Sequence, residues 1–191
     1  MLDDRHFIKD CIENKPGAID RLYKRYAPML FGICLRYAAS NQEAEDILHD
    51  GFVRIIKHLH EFRGEGSFEG WLKKIMVNTA INQYRKNQAG FGVVSLDDYH
   101  HAPSHEDDLV DQIAAQELFA LVSAMPEGYR QVFNLFAIEG YRHKEISEML
   151  GISESTSKTQ FLKARKYLIQ QLMQLKSTEM DSYKSKRDAH E

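Results

Sequence analysis

Residues 143–168, HKEISEMLGISESTSKTQFLKARKYL, constrain this chain more than any other stretch. Ile146 and Leu150 lie one helical turn apart and give a first short helix an apolar edge. Gly151 is suited to ending that helix, because glycine enters the left-handed conformation without steric cost. Ser153 then offers a side-chain oxygen to the unpaired N–H groups at the start of a second helix. Two helices about a short turn make a helix-turn-helix, whose second member fits the major groove of duplex DNA. On that second helix Ser157, Phe161, Ala164 and Leu168 recur at helical spacing and form the inward face. Glu154, Ser155, Lys158, Thr159, Gln160 and Lys163 are left outward, where glutamine suits adenine and lysine suits a guanine edge or a phosphate. Arg165 and Lys166 read as positioning charges.

The remainder of the chain is helical in pattern, and the reading is an all-α protein of two small helical domains joined by an acidic linker. The first domain is expected over 5–89. Leu22, Tyr26, Met29, Leu30, Ile33 and Tyr37 mark one amphipathic helix, and Ile47, Leu48, Phe52, Ile55, Ile56 and Leu59 the next, with Asn41 as its cap. The glycines of FRGEGSFEG, residues 62–70, interrupt helix propensity, and Trp71, Leu72, Ile75, Met76, Thr79 and Tyr84 resume it. Residues 90–111 read as the linker, 112–175 as the second domain and 176–191 as a polar, frayed tail. In the second domain Ile113, Leu118, Leu121, Val122 and Met125 form a helix that Pro126 ends, followed by one through Val132, Phe133, Leu135 and Phe136.

The formal charge of −3 argues against a nucleic-acid partner until its distribution is read. Residues 92–117 hold seven acids and no lysine or arginine, which leaves 21 acids against 25 bases elsewhere. Binding depends on local fields, so the total does not exclude a basic reading face. Cys11 and Cys34 have neither metal nor redox spacing and read as buried free thiols. His100, His101 and His105 stand among carboxylates in the linker, yet nothing there orients a ligand set, so no metal and no cofactor is expected. Catalytic residues are likewise not expected, since no nucleophile, base and pocket can be connected. No secretory leader or long apolar run occurs, which predicts a cytoplasmic protein without an integral membrane segment.

Two further constellations carry chemistry. Phe62, Arg63, Phe68 and Trp71 surround the glycine-containing bend, and Lys73, Lys74, Asn78, Asn82, Arg85 and Lys86 follow on the next helix. Aromatics stack on unpaired bases and cations attract the backbone, although Phe68 and Trp71 serve equally well as core. Asp46 and Asp50 share a helix face, which suits a basic protein partner or plain solvation.

With these motifs in hand, residues 10–172 resemble a bacterial extracytoplasmic-function sigma factor of the sigma-70 family. AEDILHDGFVRIIKHL, residues 44–59, resembles the segment that binds core RNA polymerase, and FRGEGSFEGWLKKIMVNTAINQYRK, residues 62–86, the part that opens and captures the −10 promoter element. EISEMLGISESTSKTQFLKARKYL, residues 145–168, resembles the −35 reader. The resemblance implies a dissociable polymerase subunit for promoter recognition and DNA opening. It assigns Asp46 and Asp50 to core-polymerase binding, and Phe62, Arg63, Phe68, Trp71, Lys74 and Asn78 to −10 DNA. Thr156, Lys158, Thr159, Gln160 and Lys163 fall to −35 DNA, and an anti-sigma protein is implied as a masking partner. Two positions depart from the family pattern. Ser157 stands where a buried valine is common and is expected to bond a helix carbonyl, and Gln160 replaces a frequent arginine, which lowers phosphate attraction. The competing reading is a helix-turn-helix regulator that binds operator DNA without joining polymerase.

Overall fold

In the computed structural model the backbone is described over residues 2–89 and 112–188, and side chains over 6–88 and 118–175. Two helical units form, one from α1 (Leu2–Ile12), α2 (Ala18–Tyr37), α3 (Asn41–His58) and α4 (Phe68–Ala89). The other comprises α5 (Gln112–Ser123), α6 (Glu127–Phe133), a π-helical turn (Asn134–Ile138), most of α7 (His143–Leu150) and α8 (Glu154–Asp188). No strand occurs among the described residues, so the all-α expectation holds. The linker at 90–111 lies outside them, and with it the histidines and most of the carboxylates read there.

In the first unit α2, α3 and α4 pack against one another. Leu22, Leu30, Ile33 and Tyr37 of α2, Ile47, Phe52 and Ile55 of α3, and Leu72, Met76 and Ile81 of α4 are buried. Each fully buried large aliphatic side chain stabilises by about 1.5–3 kcal/mol over its exposed state. Ile56, expected inside, is exposed, and Met29 is only half-buried. Cys11 and Cys34 are buried free thiols, and burial pushes the Cys34 thiol up to about 12.

Helix α3 starts one residue earlier than the sequence suggested. Ser40, not Asn41, is the cap: its backbone is extended and its Oγ accepts from the Glu43 N–H at 3.2 Å. Glu43 reaches back, one carboxylate oxygen accepting from the Ala39 N–H at 2.5 Å and the other from Asn87 Nδ2 of α4 at 2.9 Å. One acidic residue thus closes the start of α3 and ties it to the end of α4.

In the second unit Val122 and Met125 pack with Ala164 and Leu168 of α8, flanked by Leu121, Tyr129, Phe133 and Tyr167. Leu118, expected in this core, is exposed. Tyr167 Oη donates to the Ala124 carbonyl at 3.1 Å, and Arg130 Nη1 to the Ser123 carbonyl at 2.9 Å, which satisfies acceptors at the end of α5. Helix α8 continues to Asp188, so the segment expected to fray from residue 176 is helical in its backbone through that point.

The helix-turn-helix is terminated by local chemistry at each joint. Glu145 accepts from the Arg142 N–H at 2.7 Å at the start of α7. At its end Gly151 takes φ +67° and the Ile152 N–H donates to the Ser147 carbonyl at 3.0 Å, a Schellman closure. Ser153 Oγ then accepts from the Thr156 N–H at 3.0 Å and caps α8, as its residue type predicts.

Candidate nucleic-acid interface

Helix α3 carries Asp46 and Asp50 on one exposed face, four residues apart. Beside it α2 and α3 form an open groove of about 610 Å³, lined by Tyr23, Pro28, Phe31, Glu45, Asp46 and His49 among others. Phe52 is buried and meets the half-exposed Tyr23 ring at 4.7 Å, so it packs beneath this face.

The bend between α3 and α4 presents an exposed run from Arg63 to Ser67. Gly64 and Gly66 take φ +76° and +85°, a region where a side chain is strained. Three rings converge behind it. Phe62 lies 5.1 Å from Phe68 and 5.6 Å from Trp71, and Trp71 stacks on Phe68 at 5.8 Å with only 16° between planes. Phe68 is buried and also meets Tyr26 edge-on at 5.6 Å, whereas Phe62 and Trp71 are half-exposed. The two readings of this cluster therefore divide by residue: Phe68 is core, and Phe62 and Trp71 keep surface available for stacking. Arg63 is exposed, and Lys74 and Asn78 are half-buried on α4. Burial holds the Lys74 ammonium below the ordinary lysine range.

On α8, Ser157, Ala164 and Leu168 are buried and Phe161 is half-buried, in agreement with the inward face read from spacing. Lys158, Thr159 and Lys163 are exposed, and Thr156 and Gln160 half-exposed. Several of these groups already hold partners. Lys158 pairs with Glu154 at 2.6 Å, which holds the Glu154 carboxyl below its usual range. Thr159 Oγ1 donates to the Ser155 carbonyl at 2.9 Å and keeps its oxygen lone pairs for an incoming donor. Lys163 Nζ lies 6.0 Å from the centre of the Tyr129 ring. The Gln160 amide lies against α6, where a Cβ on Gly128 would approach it to 3.2 Å. The Gln160 Oε1 is buried there, so this amide is turned away from the exposed side of α8.

Ser157 does not take the partner expected from sequence. Its Oγ lies 2.9 Å from His143 Nδ1 of α7, a residue given no role by sequence reasoning. The available signal was a serine on an apolar stripe, but nothing in the spacing names its partner. Among the described residues no group of three histidines, cysteines or carboxylates is placed to hold a metal, and no helix is long and apolar enough to cross a membrane.

Residues 22–90 match the Sigma-70 region 2 family model, and residues 115–168 match Sigma-70, region 4. SigZ of Bacillus subtilis, an RNA polymerase sigma factor, is 30% identical over 139 residues, 73% of this chain and 78% of that protein. The ECF RNA polymerase sigma-E factor of Haemophilus influenzae is 23% identical over 91% of this chain and 98% of its own length. The ECF sigma factor SigE of Mycolicibacterium smegmatis is 26% identical over 78% of this chain, which spans 59% of that protein. The two matched regions fall in order on the two helical units, and the chain belongs to the extracytoplasmic-function sigma-70 family of RNA polymerase sigma factors, non-enzymatic subunits that direct promoter recognition.

Proposed function

We propose that this chain joins core RNA polymerase through Asp46 and Asp50, captures and opens the −10 element with its first unit, and reads the −35 element with α8. The observation that carries this reading is the exposed glycine loop backed by half-exposed Phe62 and Trp71. Unstacking a base costs on the order of a few kcal/mol, and an aromatic surface beside cations that attract the phosphate backbone offsets that cost. Trp71 and Phe62 supply the stack, Phe68 supports them from below, Arg63 and Lys74 attract phosphate, and Asn78 offers an amide to the displaced strand. On α8, Thr156, Lys158, Thr159, Gln160 and Lys163 meet the −35 duplex, with the lysines giving charge and the threonine hydroxyls giving selectivity, while the Gln160 amide is turned toward α6. Family membership also implies an anti-sigma protein that masks these surfaces.

The test combines the purified chain with sigma-free core polymerase and a randomised promoter library, and scores runoff transcripts and footprints of unpaired bases. Charge reversal at Asp46 and Asp50 is expected to weaken core assembly. Asn78→Ala is expected to impair opening or −10 selectivity while assembly persists. Normal initiation by both variants removes these residue assignments.

A further inference from the structure

Ser157 sits in the first turns of α8 between Thr156 and Lys158 and is fully buried. A buried hydroxyl is costly without a partner, and the partner here is His143 Nδ1 at 2.9 Å. The imidazole is held a second way. It stacks on Phe136 of the π-helical turn at 4.4 Å with 12° between planes, and Phe161 of α8 stands 6.0 Å away at 60°. Phe136 and Phe161 meet at 4.5 Å, so the ring lies against an aromatic pair drawn from two elements. A stack sets the plane of a ring but leaves its rotation in that plane free, and a directional hydrogen bond removes that freedom.

His143 is also the first residue of α7, where the Arg142 N–H bonded to Glu145 holds the backbone in place. The start of α7 is therefore pinned to the start of α8 by one polar contact inside an aromatic setting. Rotation of α8 about its axis would break that contact and would turn Thr156, Lys158 and Thr159 by the same angle.

The geometry points to His143 as a positioning residue for promoter reading: through Ser157 it sets the rotation of α8, and so the direction in which Thr156, Lys158 and Thr159 meet the −35 bases. This inference rests on the proposed −35 role of α8. His143 acts through Ser157 and is assigned no contact with DNA.

The test uses the full chain with core polymerase on promoters carrying single-base substitutions across the −35 element. His143→Phe keeps a ring for the stack and removes the hydrogen bond, His143→Asn keeps a polar atom near the Nδ1 position, and Ser157→Ala removes the hydroxyl. His143→Phe and Ser157→Ala are each expected to reduce discrimination among −35 bases on the order of fivefold, with core assembly retained. The double variant is expected to lose no more than either single one, and His143→Asn to recover part of the loss seen with phenylalanine. Wild-type base preferences in either His143→Phe or Ser157→Ala, or additive losses in the double variant, overturn the inference. If His143→Phe does not fold, Ser157→Ala on the same promoters decides alone: reduced discrimination supports the inference and unchanged preference overturns it. A wild-type chain indifferent to every −35 substitution removes the −35 reading itself, and the positioning role with it.

Discussion

Gly51 and His143 show how much individual residues in this chain depend on what packs against them. A Cβ at Gly51 would lie 2.5 Å from Met76 Sδ, and Met76 is fully buried in α4. Glycine in mid-helix costs about 0.5–1 kcal/mol against alanine, so its presence marks the closeness of α3 and α4. Gly51→Val is expected to overpack this crossing and destabilise by about 1–3 kcal/mol in urea unfolding, and unchanged stability would contradict the close approach. For His143, burial and then Lys158 hold the imidazole below its ordinary value of 6.5, while Glu154 pulls the other way. The folded state therefore prefers the neutral ring. That contribution is complete above 6.5 and is lost as pH falls through the depressed folded value. Acidification from about pH 7 to about pH 5 is expected to lower the melting temperature of the wild type more than that of His143→Phe, and parallel pH profiles would refute the assignment. Spacing alone placed Ser157 on the inward face, because helical period is a local property. Its partner lies fourteen residues away, and only the meeting of α7, α8 and the π-helical turn selected it.

At the scale of elements, most helices were legible because their apolar residues recur at helical period, and the joints are where reading failed. The cap of α3 fell to Ser40 over its neighbour Asn41, since both residue types suit the role and backbone dihedrals choose between them. Ser40→Ala is expected to cost about 1 kcal/mol of stability, whereas Asn41→Ala leaves the cap intact; chemical denaturation of the two variants separates them. Helix α2 runs through Pro28, which removes a backbone donor and in isolation disfavours helix by about 3 kcal/mol. Burial of Ala27, Leu30, Ile33 and Cys34 on either side offsets that local preference. The π-helical turn after α6 was invisible to pattern. Its wider bonds, such as the Glu139 N–H to the Asn134 carbonyl at 2.9 Å, insert one residue without changing composition, yet they belong to the turn that brings Phe136 to His143.

Over the whole molecule, charge is distributed unevenly along the chain. The acidic stretch from residue 92 to 117 accounts for a net negative chain, and α8 presents Lys158 and Lys163 on its exposed side. If both lysines meet phosphates, Lys158→Gln with Lys163→Gln is expected to reduce the salt slope of promoter binding by about 2, as counterion release falls. A titration of polymerase-bound promoter affinity against salt checks this, and an unchanged slope would place both lysines off the backbone. The same variant is expected to leave core assembly intact, because Asp46 and Asp50, the residues proposed for core binding, lie in the other helical unit. The chain's residues by themselves determined two all-helical units, the inward stripe of α8, the helix-turn-helix with its Gly151 stop and Ser153 cap, and membership in a family. All of these follow from period, capping chemistry and local motif, which act over a few residues. Tertiary structure alone decided that Phe68 is core while Phe62 and Trp71 keep a surface, that the Gln160 amide lies against α6, and that His143 holds Ser157. Those outcomes depend on which helices share a boundary, and a side chain's freedom there is set by atoms distant in sequence.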